Sequence, residues 1–195
     1  MSTRGLLRAG SDQLTEPQID SLSRYVATLL RWNERINLTA ARGEVDATQH
    51  VLDCAAVVPR IPSSARRLVD VGAGAGLPAV VIAALRPELE VTAIEPNHKK
   101  HAFLRSVARE LPLPNLVPLA TRVEDLEPAS WDVAVSRATF ALEEWLVIGA
   151  RLVVPGGLVI GFEGADQIPL PPHATRHVYP LSNRTRALIL YRCPD

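Results

Sequence analysis

Leu68-Val69-Asp70-Val71-Gly72-Ala73-Gly74-Ala75-Gly76-Leu77-Pro78 is the stretch whose reading decides the fold. An apolar run of strand length ends at a carboxylate. Glycines follow at alternate positions, and apolar residues at Leu77, Val80, Val81, Ala84 and Leu85 then recur with helical spacing. Strand, tight turn and helix are the elements this pattern predicts. Glycines without side chains let a backbone approach a ligand closely. A helix start beyond them offers unpaired N–H groups and the positive end of a dipole. The turn is therefore suited to a polar small molecule at the carboxyl end of a strand.

A dinucleotide site needs G-x-G-x-x-G/A, with the third small residue allowing helix and strand to pack closely. Gly72 and Gly74 fit that pattern, but the third position is Leu77, and Gly76 falls one residue early. A cofactor without a pyrophosphate suits the turn better, and S-adenosylmethionine is the usual one. A second apolar run, Glu90 to Ile94, ends at Glu95. Its carboxylate stands where it can take both hydroxyls of a ribose.

Composition narrows the class. The chain has 195 residues, 47% apolar and 22% charged, enough for one compact domain with a real core. Lysine plus arginine and aspartate plus glutamate both number 21, which argues against a tail-driven nucleic-acid binder and leaves room for a local basic patch. Cys54 and Cys193 lie far apart without metal-ligand spacing, so no metal is expected and both read as thiols of a reducing cytoplasm. Polar residues with Arg4 and Arg8 interrupt any leader-like segment at Met1. The most apolar run, Leu152 to Phe162, is too short and too broken by Pro155, Gly156, Gly157 and Gly161 to span a bilayer. A cytoplasmic protein with no membrane association is the expectation.

Residues 1–13 read as polar and loose. Thr15-Glu16-Pro17 opens a helix to about Trp32, and a second helix covers Val45 to Val57. The segment between them reads as an ordered connector. His50 and Asp53 share a helix face there. From Arg67 strands and helices alternate, which predicts a parallel sheet covered on both sides. Strands are expected near 67–71, 90–94, 115–119, 131–135 and 157–161, and helices near 77–85, 97–110 and 140–150. The stretch 164–174 carries no helix. Strands near 176–180 and 186–191 pair through Ser182-Asn183. Residues 1–62 form a helical cap of the same compact unit, and 63–195 the cofactor-binding domain.

Trp32-Asn33…Ile36-Asn37-Leu38-Thr39, His50-Val51-Leu52-Asp53, the glycine turn, Arg122-Val123-Glu124 and Ser136-Arg137-Ala138 occur in one order. That series closely resembles the RsmG (GidB) family of small-subunit ribosomal RNA guanine-N7 methyltransferases, from about residue 14 to 191. The resemblance implies an α/β class I methyltransferase fold, Rossmann-like, with a mostly parallel sheet of about seven strands, the last antiparallel. It implies S-adenosylmethionine as cofactor and 16S rRNA, the 30S subunit or its precursor as partner; a monomer is the expectation. Gly72 and Leu77 match cofactor contacts, Val123 and Glu124 match a segment facing the adenine, and Arg137 lies at the edge of the cofactor site. Cys54 stands where the family often has serine, Ala79 where glycine is common, and Glu163 where lysine is usual. The last change reverses a charge near the expected RNA-facing rim.

Guanine N7 has an in-plane lone pair and no proton, so methyl transfer to it needs alignment and no general base. Arg137 and Asn37 are the candidate catalytic-site residues. Arg137 is assigned to the cofactor carboxylate or an RNA phosphate, because a cation beside the ring would oppose the product's charge. Asn37 either reads the guanine edge or turns its own backbone. Asp70 either orients the cofactor's ammonium group or caps the turn. His50 with Asp53 reads as an orienting pair or a helix-surface pair. Arg35, Lys99 and Lys100 are candidates to track RNA phosphates. Trp32, Tyr25 and Phe103 read as core or cap packing. Two further functions stay open: a methyltransferase of the same fold for a small molecule or protein, suggested by neutrality and Glu163, and a non-catalytic RNA-binding or assembly module.

Overall fold

A computed structural model describes residues 2–11, 13–164 and 167–194. Positions 1 and 12 of the segment read as loose, and 165 and 166 of the segment read as non-helical, lie outside the described residues. Among the described residues six α-helices, α1 (Thr3–Gly10), α2 (Glu16–Asn33), α3 (Glu44–Ala55), α4 (Ala79–Leu85), α5 (His98–Glu110) and α6 (Leu142–Leu152), accompany seven strands. The strands are β1 (Arg67–Val71), β2 (Glu90–Ile94), β3 (Leu116–Leu119), β4 (Trp131–Ser136), β5 (Val153–Phe162), β6 (Ala174–Leu181) and β7 (Arg184–Arg192). They form one sheet in the order β3-β2-β1-β4-β5-β7-β6. The first five are parallel, and β7 is antiparallel to both neighbours, as expected.

The central strands lie between two layers and bury almost every side chain, so β1 is apolar at Leu68, Val69 and Val71, with Asp70 buried among them. One apolar cluster joins α4 and α5 to α2 and α3 across one face of the sheet. The other packs α6 against the opposite face through Trp145 and Leu152. The Trp145 indole N–H donates to the Ile160 carbonyl at 2.9 Å, which satisfies its one polar atom inside the core.

Four expectations need correction. The first segment is not loose within the described residues: α1 buries Leu7 completely, which contributes about 1.5–3 kcal/mol. Thr3 donates to Glu44 on α3 and Arg8 to Glu16 on α2, so tertiary partners order a polar sequence. The helix after the glycine turn starts at Ala79 instead of Leu77, because the Asp70 carboxylate receives the Ala79 N–H. The 3-10 turn Val58–Arg60 follows α3, which ends at Ala55 rather than Val57. β5 begins at Val153, four residues early. A register shift against β4, between Trp131 and Val133, absorbs the Pro155-Gly156-Gly157 interruption.

Candidate functional site

Chain order reverses between β1 and its neighbour β4, and ligands of open α/β sheets bind outside the carboxyl ends of strands at such a point. The glycine turn leaves β1 there, Glu95 follows β2, and Arg137 follows β4.

The turn is held by its own backbone. Gly72 N and Ala73 N donate to the Ile94 carbonyl at 3.0 and 2.9 Å, and Gly76 N to the Ala73 carbonyl at 2.6 Å. The buried Tyr25 hydroxyl of α2 donates to the Ala75 carbonyl at 2.6 Å. Gly76, at φ +83°, is required for packing: a Cβ there would lie 2.4 Å from Val80 Cγ2 and 3.1 Å from Leu104 Cδ2. Gly74, at φ +55°, differs. A Cβ there would meet nothing nearer than the Gly72 carbonyl oxygen at 3.7 Å and Glu95 Oε2 at 4.0 Å. Open space therefore stands over Gly74, beside an acid.

Glu95 is buried, and its two oxygens accept from Gly74 N at 2.9 Å and Asn97 N at 2.8 Å. A carboxylate offers about four lone-pair sites, so capacity for two ligand hydroxyls remains. Asn97 in turn caps α5 through Lys99 N and Lys100 N.

Asp70 is fully buried. Oδ2 accepts from Ala79 N at 2.9 Å, which makes it a cap, and Oδ1 has no partner. Burial pushes its carboxyl up to about 7, against the opposing pull of the Ala79 N–H and the Arg137 charge. The raised value means the folded state holds this proton more tightly than the unfolded chain. Its contribution is complete below about pH 4 and is lost as pH rises to about 7. Urea unfolding is expected to show a decline of at most about 1.4 kcal/mol per pH unit across that window. Asp70→Asn keeps the acceptor for Ala79 and should remove this component. Parallel pH profiles of the two proteins would refute the assignment.

Arg137 is the hub of a polar network between β4, α3 and the β6–β7 hairpin. Its Nε lies 3.3 Å from Asp53 Oδ2, its Nη2 2.8 Å from His50 Nδ1, and its guanidinium 5.7 Å above the Phe162 ring. The Tyr179 hydroxyl donates to Asp53 Oδ1 at 2.6 Å, and Arg186 Nε lies 3.6 Å from the same oxygen. His50 and Asp53 thus meet on Arg137 and are not a surface pair. Burial, then the Arg137 charge, lowers the His50 pKa. Burial pushes the Cys54 thiol up to about 12, which leaves it inert beside the arginine.

Two cavities flank this hub. One, of about 360 Å³, opens between α3 and the β6–β7 hairpin, with Arg137 and Arg186 in its wall. The other, of about 380 Å³, is lined by Arg137, Phe140, Phe162, Glu163 and Arg186. Glu163 is buried and accepts twice from Arg176, at 2.7 and 2.8 Å. The negative charge expected at the rim is therefore matched inside the protein.

A third cavity, of about 260 Å³, is lined by Arg35, Asn37, Lys99 and Lys100 with Ile36 and Asn97. The structure thus brings the four residues read as RNA candidates to one place. None of the three cavities is lined by Gly72, Gly74 or Glu95. The turn-forming amide of the connector is Asn33, not Asn37: its Oδ1 accepts from Leu38 N and Thr39 N at 2.8 and 3.0 Å, and its Nδ2 donates to the Thr39 carbonyl at 3.1 Å. Val123 is buried in a 3-10 turn whose carbonyl receives Arg151 at 2.5 Å, while Glu124 is exposed. Trp32 meets Phe103 edge-to-face at 5.6 Å, as core packing.

Sequence reasoning gave no site role to Tyr25, Asn33, Tyr179 or Arg186. Asn33 lies inside the segment from Trp32 to Thr39, and an amide at a helix end is the local signal for it. Arg186 and Tyr179 become visible only when β6 and β7 return to α3.

The family profile described as GidB, rRNA small subunit methyltransferase G, matches residues 18–168. A protein of Chromobacterium violaceum named ribosomal RNA small subunit methyltransferase G is 38% identical over 177 residues, covering 87% of this chain and 84% of its own. Among solved structures, a methyltransferase from Geobacter sulfurreducens superposes with TM-score 0.64 at 14% identity over 87% of this chain and 90% of its own. Coclaurine N-methyltransferase bound to N-methylheliamine and SAH gives TM-score 0.56 at 16% identity, over 82% and 56% respectively. These likenesses show the fold, and the matched sequence shows the lineage: the chain belongs to the rRNA small subunit methyltransferase G family.

Proposed function

We propose that this protein methylates N7 of a guanine in 16S rRNA, with S-adenosylmethionine as methyl donor. One observation carries the reading. In a chain of this family, the glycine turn, Glu95 and the Arg137-walled cavities stand together at the carboxyl edge of β2, β1 and β4.

The residues present fit the cofactor. The space over Gly74 admits a ligand where a side chain would intrude, Glu95 keeps lone pairs for ribose hydroxyls, and Asp70 keeps one unpartnered buried oxygen. Gly72, Gly76 and Leu77 complete the turn, and Val123 and Glu124 bound the adenine side. When bound, the cofactor supplies an electrophilic sulfonium methyl.

The guanine enters the cavity of Phe140 and Phe162, where a purine can stack on an aromatic face. Arg137 forms its wall. Methylated guanine is cationic, so a free guanidinium there would oppose the product. The Asp53 carboxylate at 3.3 Å offsets that charge. No side chain has to remove a proton from N7, and the protein's contribution is alignment at about 3–3.5 Å. Asn37, Arg35, Lys99 and Lys100 approach the RNA from the other end of the edge. The protein acts as a monomer in the cytoplasm on the 30S subunit or its precursor. Among the described residues no helix is long and apolar enough to cross a membrane. With Glu163 bound to Arg176, the charge reversal that favoured a small-molecule acceptor loses its force.

The test is methyl transfer from labelled donor to 30S particles of a strain lacking the gene, followed by mass spectrometry of the rRNA. Gain of one N7-methylguanine is expected. An rRNA methylation pattern identical in the deletion strain and its parent would end the proposal.

A further inference from the structure

We infer that the cavity between α3 and the β6–β7 hairpin is a phosphate subsite, in which Arg184 and Arg186 take a backbone phosphodiester of the RNA substrate. The inference rests on the rRNA reading above and adds a contact surface that the basic residues around Lys99 do not include.

The cavity holds about 360 Å³ and is lined by Gln49, His50, Arg137, Asn183, Arg184 and Arg186, with Asp46 and Asp53. The charges do not cancel. Asp53 lies between Arg137 and Arg186, 2% exposed, and its Oδ1 also accepts from Tyr179. Asp46 Oδ2 accepts from the Arg42 backbone N–H at 3.1 Å. Three guanidinium groups therefore face two carboxylates, with one positive charge in excess. Arg184 is exposed and makes no ion pair among the described residues. A guanidinium fork matches two phosphate oxygens, and the amides of Gln49 and Asn183 add neutral donors.

The subsite is held in place before any ligand arrives. Gln49 Nε2 donates to Ser182 Oγ at 2.6 Å, which ties the hairpin turn to α3. Leu181 and Arg184 close the antiparallel register on either side of that turn. The backbone of the turn is therefore set in advance, and the Arg184 side chain is what binding has to order. Arg137 and Arg186 also wall the aromatic cavity assigned to the guanine, so a phosphate seated here belongs to a nucleotide next to the target. Together with Lys99 and Lys100 at the far end, the RNA spans the whole carboxyl edge of the sheet.

The test is binding of cofactor-free protein to a fluorescent 16S rRNA fragment between about 50 and 200 mM salt. Arg184→Gln is expected to lower affinity about tenfold and to reduce the slope of log K against log salt by roughly 0.7–0.9, the loss of one phosphate contact. Arg184→Lys should recover the slope and only part of the affinity, since it restores charge without the fork. Calorimetric affinity for S-adenosylmethionine should be equal in all three proteins, which checks the fold as well. Wild-type slope and affinity in Arg184→Gln would overturn the inference alone. Absence of RNA binding by the wild-type protein would overturn the rRNA reading and this one with it. Inorganic phosphate that protects Arg184 from modification while RNA does not would assign the cavity to a free anion and overturn the inference.

Discussion

Asp53→Ala is expected to destabilise the protein by about 3–5 kcal/mol, the typical cost of removing one partner from a buried ion pair. Asp53 is 2% exposed and serves three groups. Without it the Arg137 guanidinium loses its partner at 3.3 Å, the Tyr179 hydroxyl its acceptor at 2.6 Å, and Arg186 its carboxylate at 3.6 Å. The positive charge at the head of β4 is then uncompensated beside a site that generates another. Methyl transfer should fall further than stability alone explains, while S-adenosylmethionine binding, measured on protein still folded at low temperature, should persist. Asp53→Asn separates the effects, because the amide oxygen can still accept from Tyr179 but the charge is gone. Urea unfolding decides the first part, and a loss below about 1 kcal/mol would show that the network contributes little to the fold.

Gly74→Ala is expected to weaken cofactor binding by about 100-fold while leaving the protein folded. Overpacking by one methyl in a closely fitted site costs roughly 1–3 kcal/mol, and two decades correspond to about 2.7 kcal/mol. The fold survives because the added Cβ meets only the Gly72 carbonyl at 3.7 Å and Glu95 Oε2 at 4.0 Å. Its φ of +55° adds about 1–2 kcal/mol of backbone strain. Gly76→Ala is the contrasting variant: its Cβ would strike Val80 at 2.4 Å, so it should destabilise the fold itself. Isothermal calorimetry reads the first effect and thermal unfolding the second. Wild-type affinity in Gly74→Ala would remove the turn from the cofactor site.

The sheet was legible because its strands are short apolar runs separated by proline and glycine, and because each crossover helix follows its strand locally. Glu95 was legible for the same reason, as the first acid after the second run. What local patterns missed are places where distant partners override composition. α1 looks loose in isolation and is ordered by Glu44 and Glu16. The early start of β5 depends on its pairing with Trp131. Glu163 reads as a surface charge until Arg176 reaches it from β6, on the far side of β7. Asp70 had two roles open to it; the position of Ala79 N makes one oxygen a cap, and the other is left buried without a partner.

From residues alone came the order of elements, the glycine turn with its acid, the family and the class of chemistry, since all of these depend on contacts between near neighbours in the chain or on an ordered set of short segments. Tertiary structure alone decided the surroundings of Arg137. His50 and Asp53 lie over 80 residues before it and Arg186 comes from the last strand, so the charge that faces the substrate is set by groups that meet only when the sheet closes on α3. Electrostatic free energy depends on distance and burial, and neither is written in the spacing of the chain.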